Sequence, residues 1–371
     1  MLFSSCFATL FCALATAEAT SLPTPRGRYN TSIEHVQLID QSRKDPFSSS
    51  SQPRKLMATI FTPVEQDQCI PTQVSFLDST TATFQDQKFG AYGLPAGLFG
   101  TLELTACTTT ATQSKQPKVN QKALPLVILS PALATTRLFY SVMAQNLASS
   151  GYVVISVDHP YDVDIVTFPD NSTILGVDIS DAQLPLALDT RVKDISFVIN
   201  QALKPAFAKQ YLQPLGSSPC HSVIDTTHIG VLGHSFGGAA AAESLLHEKK
   251  VVAGINLDGS FFGQVVEKGT RKPILILAHD GKNQTTDPSW AAIWPQLKGW
   301  KKEVMMKAFA HYTFSDLPII VDTLGIRDGL PNQVVGELLG SVAGSEADRD
   351  VHKYVLAFFD ISLKNKRSTV L

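Results

Sequence analysis

Residues 233–237 read Gly-His-Ser-Phe-Gly, the G-x-S-x-G pattern in which a serine is held on a sharp turn between a strand and a helix. An apolar run from Ile229 to Leu232 precedes the turn and an alanine-rich stretch follows it, so the flanking sequence can supply both elements. Glycine is expected at Gly233 and Gly237 because strand and helix approach each other closely there. The pattern therefore predicts an enzyme with Ser235 as its nucleophile.

A serine hydroxyl needs a neighbouring imidazole to take its proton, and the imidazole needs a carboxylate to fix its tautomer. His311 is the candidate base, because it alone ends a strand-like run and follows the candidate acids. His352 also follows them but lies inside a predicted helix. His159, His234 and His279 each precede at least one candidate acid, so we expect each to be a hydrogen-bonded residue beside the site or a surface residue rather than the base.

Two aspartates compete for the role of the acid. Asp258 ends the strand directly after the helix that follows Ser235. Asp280 lies at the end of the next strand, which is the usual position in α/β-hydrolases. Either one gives the chain order serine, acid, histidine that these enzymes use. Spacing alone leaves the choice open.

The elements that must position these groups are indicated by continuous apolar runs that alternate with helical stretches after residue 123. Strands that are apolar on both faces predict a parallel sheet with helices on both sides. Groups that follow such strands gather at one edge of the sheet, where the candidate site residues fall. The predicted strands are 124–129, 152–157, 229–232, 251–257, 274–278 and 304–309, and the predicted helices are 138–150, 186–203, 239–248, 289–299 and 350–363.

The part of the chain before these runs is harder to interpret. Residues 20–55 mix proline, serine and basic residues and are interpreted as a lead-in segment with little core of its own. Further strand candidates are 33–39, 55–64 and 101–107. Because no repeat or low-complexity linker divides the rest, we predict that residues 20–371 form one catalytic α/β domain with a mostly parallel sheet.

The first 19 residues are an apolar stretch followed by small residues, which predicts a secretory signal peptide even though no Lys or Arg precedes the apolar run. Its removal would leave three cysteines, Cys69, Cys107 and Cys220, enough for one disulfide and one free thiol. The favoured pair is Cys69 with Cys107, because these two are closest in sequence and both precede the predicted catalytic core.

The charge balance of the chain limits the class of partner it can bind. The chain has 31 basic and 33 acidic residues. This near-neutral balance argues against a nucleic-acid partner, which would require a basic patch.

Asn30, Asn171 and Asn283 each begin an N-x-Ser/Thr sequon, as expected for a secreted glycoprotein. No later stretch reaches the roughly 20 apolar residues that a membrane span requires.

The combined pattern resembles the platelet-activating-factor acetylhydrolases of the plasma and intracellular type II group, in their fungal branch. Leu257-Asp258-Gly259 and the His-x-x-Phe-x-Asp element that begins at His311 are its most telling parts. The resemblance covers most of the mature chain and implies Asp258, rather than Asp280, as the acid. The other matching segments are 42–47, 56–64, 125–130, 158–162, 189–194 and 233–238.

The resemblance also implies the chemistry and the substrate. Members of this group cleave short sn-2 acyl esters of ether or oxidised phospholipids through an acyl-enzyme, with no metal or cofactor. A transient contact with lipid surfaces is expected, and the oligomeric state stays open. The apolar stretches Phe261-Phe262 and Trp290 to Trp294 are candidates for lipid contact, with ordinary core as the alternative.

The intermediate's oxyanion requires two backbone N–H donors. One is expected from Phe236, immediately after the nucleophile. The resemblance implies Leu133 as the second. Pro131 and Ala132 stand where the animal members usually carry His-Gly, and proline has no N–H. This departure leaves the loop geometry and the substrate preference open.

Two other functions fit the same motifs. One is a broader secreted esterase, of cutinase type or acting on a small metabolite, which would share the three catalytic residues and differ in its pocket. The other is a catalytically silent binding module on the same fold.

Overall fold

The computed structural model describes residues 18–108, 123–212 and 223–371. The described strands are β1 (Thr20–Ser21), β2 (Asn30–Lys44), β3 (Pro53–Val64), β4 (Ile70–Ser75), β5 (Leu102–Thr108), β6 (Leu124–Ser130), β7 (Val153–Asp158), β8 (Ile165–Thr167), β9 (Thr173–Leu175), β10 (Ile224–His234), β11 (Val251–Leu257), β12 (Ile274–Ala278) and β13 (Lys301–Met305). The described helices are α1 (Ser79–Gly90), α2 (Ser141–Ser149), α3 (Leu184–Ala202), α4 (Pro205–Tyr211), α5 (Phe236–His247), α6 (Val265–Lys268), α7 (Pro288–Ile293), α8 (Leu317–Thr323), α9 (Asn332–Val334) and α10 (Gly344–Lys364).

The central sheet has eight strands in the order β13-β12-β11-β10-β6-β7-β3-β2. The first six strands of this order, β13 through β7, are parallel to one another, whereas β3 and β2 are added antiparallel at one edge. The five strands at the centre and towards β12 are continuous apolar runs because both of their faces are covered. The predicted mostly parallel sheet is confirmed.

Helices cover both faces of this sheet. Along β6, Leu126 and Ile128 pack in one buried cluster with residues of α3, α5 and α7. Val127 and Leu129 pack in the other cluster, with residues of α2, α8 and α10. Successive side chains of a strand point to opposite faces, so each strand contributes to both layers. The predicted helices are therefore present, although α7 ends earlier than predicted.

The last strand of the central sheet begins and ends earlier than the sequence predicts. The last strand is Lys301–Met305 rather than 304–309. It lies at the sheet edge and its side chains are only partly buried, so its first half is polar and carries no apolar signal. The chain leaves the strand before Ala308, whose φ of 65° is incompatible with an extended run.

The interpretation of residues 20–55 as a lead-in with little core was wrong. The segment contains β2, which has 15 residues and pairs with β3 along nearly its whole length. Val36 and Leu38 are buried in the core cluster that includes α3 and α5. Because β2 is an antiparallel edge strand with one wet face, its apolar residues alternate with polar ones and no continuous apolar run marks the segment.

A second sheet, in the order β1-β5-β4, is joined by a disulfide between Cys69 and Cys107. Cys107 lies on β5 opposite Pro71 of β4, so the bridge closes the end of this antiparallel pair. The predicted pairing is confirmed. Cys220 lies outside the described residues.

We expect the double variant Cys69→Ser/Cys107→Ser to be less stable by about 3–4 kcal/mol, because the bridge spans 38 residues of the unfolded chain. Chemical denaturation of both proteins measures the difference. Reduction of the wild-type protein should bring its midpoint to that of the variant, and reduction of the variant should change nothing. Equal midpoints for the oxidised wild type and the variant would show that the bridge adds no stability.

The acid sensitivity of the fold is expected to depend partly on His352 of α10. Burial of the ring, and then the positive charge of Arg26, lower the pKa of His352 to about 4. An unfolded histidine titrates near 6.5, so as the pH falls below that value the unfolded chain takes up a proton that the folded His352 ring does not. The free energy of unfolding therefore falls as the pH decreases from about 6.5 towards about 4. His352→Gln should therefore make the melting temperature less sensitive to acid in this window.

Thermal melts at a series of pH values measure that slope. Burial also lowers the pKa values of His159 and His234, so part of the acid sensitivity should survive in the variant. An identical pH dependence of the two melting curves would contradict the assignment.

In the part of the chain that the structure describes, no helix has both the length and the hydropathy needed to cross a bilayer. Residues 1–17 lie outside the described residues. The signal peptide at residues 1–19 therefore stays a prediction.

Candidate active site

Ser235 lies on the turn between β10 and α5, with φ 56° and ψ −120°. The left-handed φ is a strained conformation for a residue with a side chain. The turn is fixed because the Ser235 N–H donates to Leu257 O at 2.8 Å. A Cβ added at Gly233 would lie 1.9 Å from the carbonyl oxygen of Gly237, and one at Gly237 would lie 2.1 Å from that of Ser130. Both glycines are therefore required by close backbone contacts.

The structure brings Ser235, His311 and Asp258 together. His311 Nε2 lies 2.9 Å from Ser235 Oγ, and His311 Nδ1 lies 2.5 Å from Asp258 Oδ2. Asp258 follows β11 directly, and its carboxylate is buried. His311 begins a single 3₁₀ turn, His311–Phe314, several residues beyond β13 rather than at the end of a strand. The three side chains form one hydrogen-bonded chain from hydroxyl to imidazole to carboxylate.

Asp280, the alternative acid, lies elsewhere. Its exposed carboxylate accepts hydrogen bonds from Lys307 Nζ at 3.0 Å and from the N–H of Ala308 at 3.1 Å. It thus holds the loop after β13, while His311 is reached by Asp258.

Asp258 is held by several donors at once. His279 Nδ1 lies 2.7 and 2.8 Å from its two oxygens, and the His279 N–H donates to Oδ1 at 3.0 Å. Lys282 Nζ lies 4.0 Å from Oδ1. Burial alone would raise the pKa of Asp258, but the hydrogen bonds from His279 and His311 and the charge of Lys282 outweigh it and hold the pKa well below its usual range. The group is therefore an anion at neutral pH.

His234 links the nucleophile turn to two other parts of the site. Its Nε2 lies 2.9 Å from the backbone oxygen of His311, and its Nδ1 lies 2.8 Å from the hydroxyl of Tyr140. Burial, and then His311, keep the pKa of His234 well below its usual value, so the ring is neutral. Because a carbonyl can only accept, Nε2 carries the proton and Tyr140 donates to Nδ1. The Tyr140 hydroxyl then accepts from the N–H of Ala132 at 3.1 Å.

The hydrogen bond from the N–H of Ala132 to Tyr140 helps to show which N–H groups of residues 131–134 are free to bind an oxyanion. Pro131 has no N–H, the N–H of Ala132 is used by Tyr140, and the N–H of Ala134 donates to Asp162 O at 2.9 Å. Leu133 is therefore the one residue of 131–134 whose N–H has no acceptor among the described residues. Phe236 is the first residue of α5, so its N–H is also unpaired within the helix. Two free donors thus lie on the segments predicted to supply them.

An apolar cavity of about 90 Å³ adjoins the site. Tyr312 and Thr135 are among its lining residues, and Thr135 also donates a hydrogen bond to Leu133 O. The ring of Tyr312 lies edge-on to that of His311, with centroids 5.4 Å apart. Other lining residues come from the segment 89–99, α8 and the chain after it, and include Phe89, Leu94, Phe99, Ile320 and Leu339.

The aromatic residues considered for lipid contact separate into two groups. Phe261 and Trp290 are buried and pack against each other in the core. Phe262 is exposed and packs against Phe236, with ring centroids 6.0 Å apart. The core alternative is therefore correct for the first two residues.

Asp258, His279 and His311 also have ligand atoms within 4.8 Å of one another, the one such group among the described residues. Both histidines already use Nδ1 to contact the carboxylate, and His311 Nε2 contacts Ser235. A metal ion would have to replace these hydrogen bonds, so a metal site and the serine–histidine–aspartate chain exclude each other.

Sequence reasoning did not find Tyr140 or Lys282. Both act through contacts with residues far away in sequence, and neither lies in a motif that could have indicated it. His159, His234 and His279 support the site through hydrogen bonds, as expected.

Comparisons with known proteins agree with this geometry. Residues 78–173 and 217–364 match the family model of platelet-activating factor acetylhydrolase, isoform II. The chain is 34% identical to a probable 1-alkyl-2-acetylglycerophosphocholine esterase of Arthroderma benhamiae, over 98% of this chain and 95% of that protein. It is 24% identical to a platelet-activating factor acetylhydrolase of Gallus gallus, over 66% of this chain and 63% of that one.

A solved structure gives a further match. A ferulic acid esterase from Streptomyces cinnamoneus superimposes with a TM-score of 0.76 at 29% identity, over 95% of this chain and 96% of that one. This match, together with the mostly parallel sheet covered by helices on both faces, confirms the α/β-hydrolase fold predicted for this chain.

Proposed function

Because the chain belongs to the family of platelet-activating factor acetylhydrolase, isoform II, an esterase family, we propose that it cleaves short sn-2 acyl esters of phospholipids. The observation that carries the proposal is the unbroken chain of hydrogen bonds from Ser235 through His311 to Asp258. The relative that matches nearly the whole chain is named for an acetyl ester of an ether phospholipid.

The arrangement supports an acyl-enzyme mechanism in two halves. His311 Nε2 takes the proton of Ser235 as Oγ attacks the ester carbonyl, and Asp258 stabilises the imidazolium that results. The carbonyl oxygen becomes negative and accepts from the N–H groups of Phe236 and Leu133. His311 then gives its proton to the departing alcohol oxygen. In the second half His311 takes a proton from water as the water oxygen attacks the acyl carbonyl, and His311 then returns the proton to Ser235 Oγ as the acid departs.

A second candidate function has its own supporting observation. The ferulic acid esterase matches 95% of the chain at 29% identity, and its name refers to an aromatic acid. The apolar cavity beside Tyr312 is compatible with either a hydrocarbon chain or an aromatic ring. A broader esterase would therefore share every reacting residue and differ only in which ester fits.

A comparison of substrates separates the two candidates. The purified protein is incubated with 1-alkyl-2-acetylglycerophosphocholine, with methyl ferulate and with a chain-length series of p-nitrophenyl esters, and Ser235→Ala serves as the background. The proposal predicts that acetate release from the phospholipid has the highest kcat/KM. Preference for methyl ferulate would support the second candidate. Cleavage of p-nitrophenyl esters without acetate release from the phospholipid would overturn the phospholipid proposal.

We also propose that the enzyme is secreted as a glycoprotein and contacts lipid surfaces transiently. The disulfide and the exposed side chain of Asn171 support an oxidising, glycosylating route. Expression of the full chain in a eukaryotic host tests secretion and glycosylation. We expect the protein in the medium to begin near Thr20 and to lose mass on deglycosylation. Retention inside the cell with residues 1–19 intact would refute secretion.

A further inference from the structure

We infer that Arg191 of α3 positions the oxyanion-binding segment of the active site. The side chain is fully buried. Its Nη1 donates to Pro131 O at 2.5 Å and to Ser130 Oγ at 3.1 Å, and its Nη2 donates to Ala132 O at 3.3 Å. One guanidinium therefore holds the last residue of β6 and the first two residues of the loop that follows it.

The direction of the Leu133 N–H follows from these contacts. In a planar trans peptide the C=O and the N–H point to opposite sides. Because Ala132 O faces Arg191, the N–H of Leu133 in the same peptide must face away from it. The preceding peptide behaves alike, since Pro131 O faces Arg191 and the N–H of Ala132 reaches Tyr140 on the other side. The N–H groups of Ala132 and Leu133 therefore both point away from Arg191, and since Tyr140 occupies that of Ala132, the N–H of Leu133 is the one left for the oxyanion.

The same side chain also contacts the residue that carries the other donor. The guanidinium carbon of Arg191 lies 4.9 Å from the centroid of the Phe236 ring. Arg191 therefore lies between the loop with the Leu133 N–H and the helix start with the Phe236 N–H. Its position fixes the separation of the two donors, on which binding of the intermediate depends.

Arg191 is itself held in place. Its Nε donates to Asp162 Oδ2 at 2.6 Å, and its Nη2 donates to Asp162 Oδ1. The backbone oxygen of Asp162 accepts the N–H of Ala134 at 2.9 Å, so Asp162 pins the far end of the loop as well. On the near side, His159 contacts Ser130 Oγ at 3.0 Å. A planar fork with five donors suits this arrangement, and a lysine ammonium cannot reproduce it.

The test compares Arg191→Lys with Arg54→Lys. Arg54 is equally buried and pairs with Asp45 and Asp194, but it donates to none of residues 130–134 and is linked to Ser130 only indirectly, through Asp194 and His159. We expect Arg191→Lys to lower kcat by about 10²-fold, on the scale of losing one oxyanion donor, with KM changed by less than about threefold. Arg54→Lys should lower the melting temperature to a similar degree while kcat falls by less than about threefold.

A second readout separates positioning from general damage. A trifluoromethyl ketone adds to the serine and places a negative oxygen between the two donors, whereas a non-hydrolysable ether analogue of the substrate does not. Arg191→Lys should weaken the ketone by about the same factor as kcat and leave binding of the ether analogue unchanged. Equal losses of kcat in Arg191→Lys and Arg54→Lys, or weakening of both ligands alike, would overturn the inference.

Circular dichroism establishes whether each variant is folded. Should Arg191→Lys fail to fold, Asp162→Asn offers the same test, because it keeps the arginine but removes its counter-ion. We expect about a tenfold loss of kcat with the same selective weakening of the ketone, and no selective weakening would count against the inference. The inference rests on the proposed serine mechanism but not on the phospholipid substrate. Failure of the mechanism is distinguishable, since the wild type would then not bind the ketone covalently.

Discussion

Replacement of Ser235 by alanine is expected to abolish labelling by a fluorophosphonate probe and to lower kcat by about 10⁶-fold, the scale seen when a catalytic serine is removed. The hydroxyl is the group that His311 Nε2 reaches at 2.9 Å, so the substitution removes the one atom that can form the acyl-enzyme. The loss should appear in kcat, because the alcohol and acyl parts of the ester still have their binding surfaces. Single-turnover kinetics with a p-nitrophenyl ester measure it, and intact-protein mass spectrometry follows the label.

Ser244→Ala is a matched control for this experiment. Ser244 lies on the same helix, α5, and its buried hydroxyl donates only to Ala240 O within the helix. This variant should be labelled like the wild type. An unlabelled wild-type protein would instead favour the non-catalytic binding module, and labelling that persists in Ser235→Ala would place the nucleophile elsewhere.

The second large effect is expected at the acid. Asp258→Asn should lower kcat by about 10⁴-fold, as when the acid of a serine triad is neutralised. The amide carries no charge to stabilise the imidazolium of His311. It can also present an NH₂ group to Nδ1, which would favour the wrong tautomer of the ring. Burial of the side chain strengthens both effects, because water does not replace the lost charge.

Asp280→Asn tests the alternative directly. Because this carboxylate is exposed and contacts Lys307 and Ala308, we expect kcat to stay within about twofold of the wild type. A crippled Asp280→Asn with an active Asp258→Asn would reverse the assignment. Melting temperatures of both variants are needed alongside, since Asp258 also anchors His279.

The nucleophile turn could be predicted from the sequence because its requirements are local. Gly233, Ser235 and Gly237 lie within five residues, and the contact that demands glycine at Gly233 is with Gly237 of the same turn, although the one at Gly237 is with Ser130 at the end of β6. The prediction of His311 as the base rested on two reasons, its place after both acids and its position at the end of a strand, and the second is wrong. His311 was expected to end a strand, but β13 stops at Met305 and the histidine begins a separate turn. Its place in the chain order was sufficient.

The acid and the supporting residues depend on packing between distant segments. Asp258 and Asp280 both follow strands, so spacing could not choose between them and the resemblance alone implied Asp258. The fold gives the physical reason, since the loop after β13 uses Asp280 while His311 contacts Asp258. Arg191 and Tyr140 meet the oxyanion segment across sequence separations that periodicity cannot connect. The resemblance marked the segment around Arg191 as characteristic but gave it no role.

The edge strand β2 shows where prediction from apolar patterning fails. Strand β2 was missed as part of the core because a strand with one wet face alternates apolar with polar residues and never forms a continuous apolar run. The central strands were found because both of their faces are dry. Apolar patterning alone therefore detects the middle of such a sheet more readily than its margins.

The carboxylate of Asp258 is shared between two imidazoles. A buried carboxylate with one partner depends on that partner for all of its charge compensation. Here His279 contributes both its ring Nδ1 and its backbone N–H to the same carboxylate. The buried anion therefore keeps hydrogen-bond donors that do not come from His311, and the orientation of the catalytic ring is not the one thing that satisfies it.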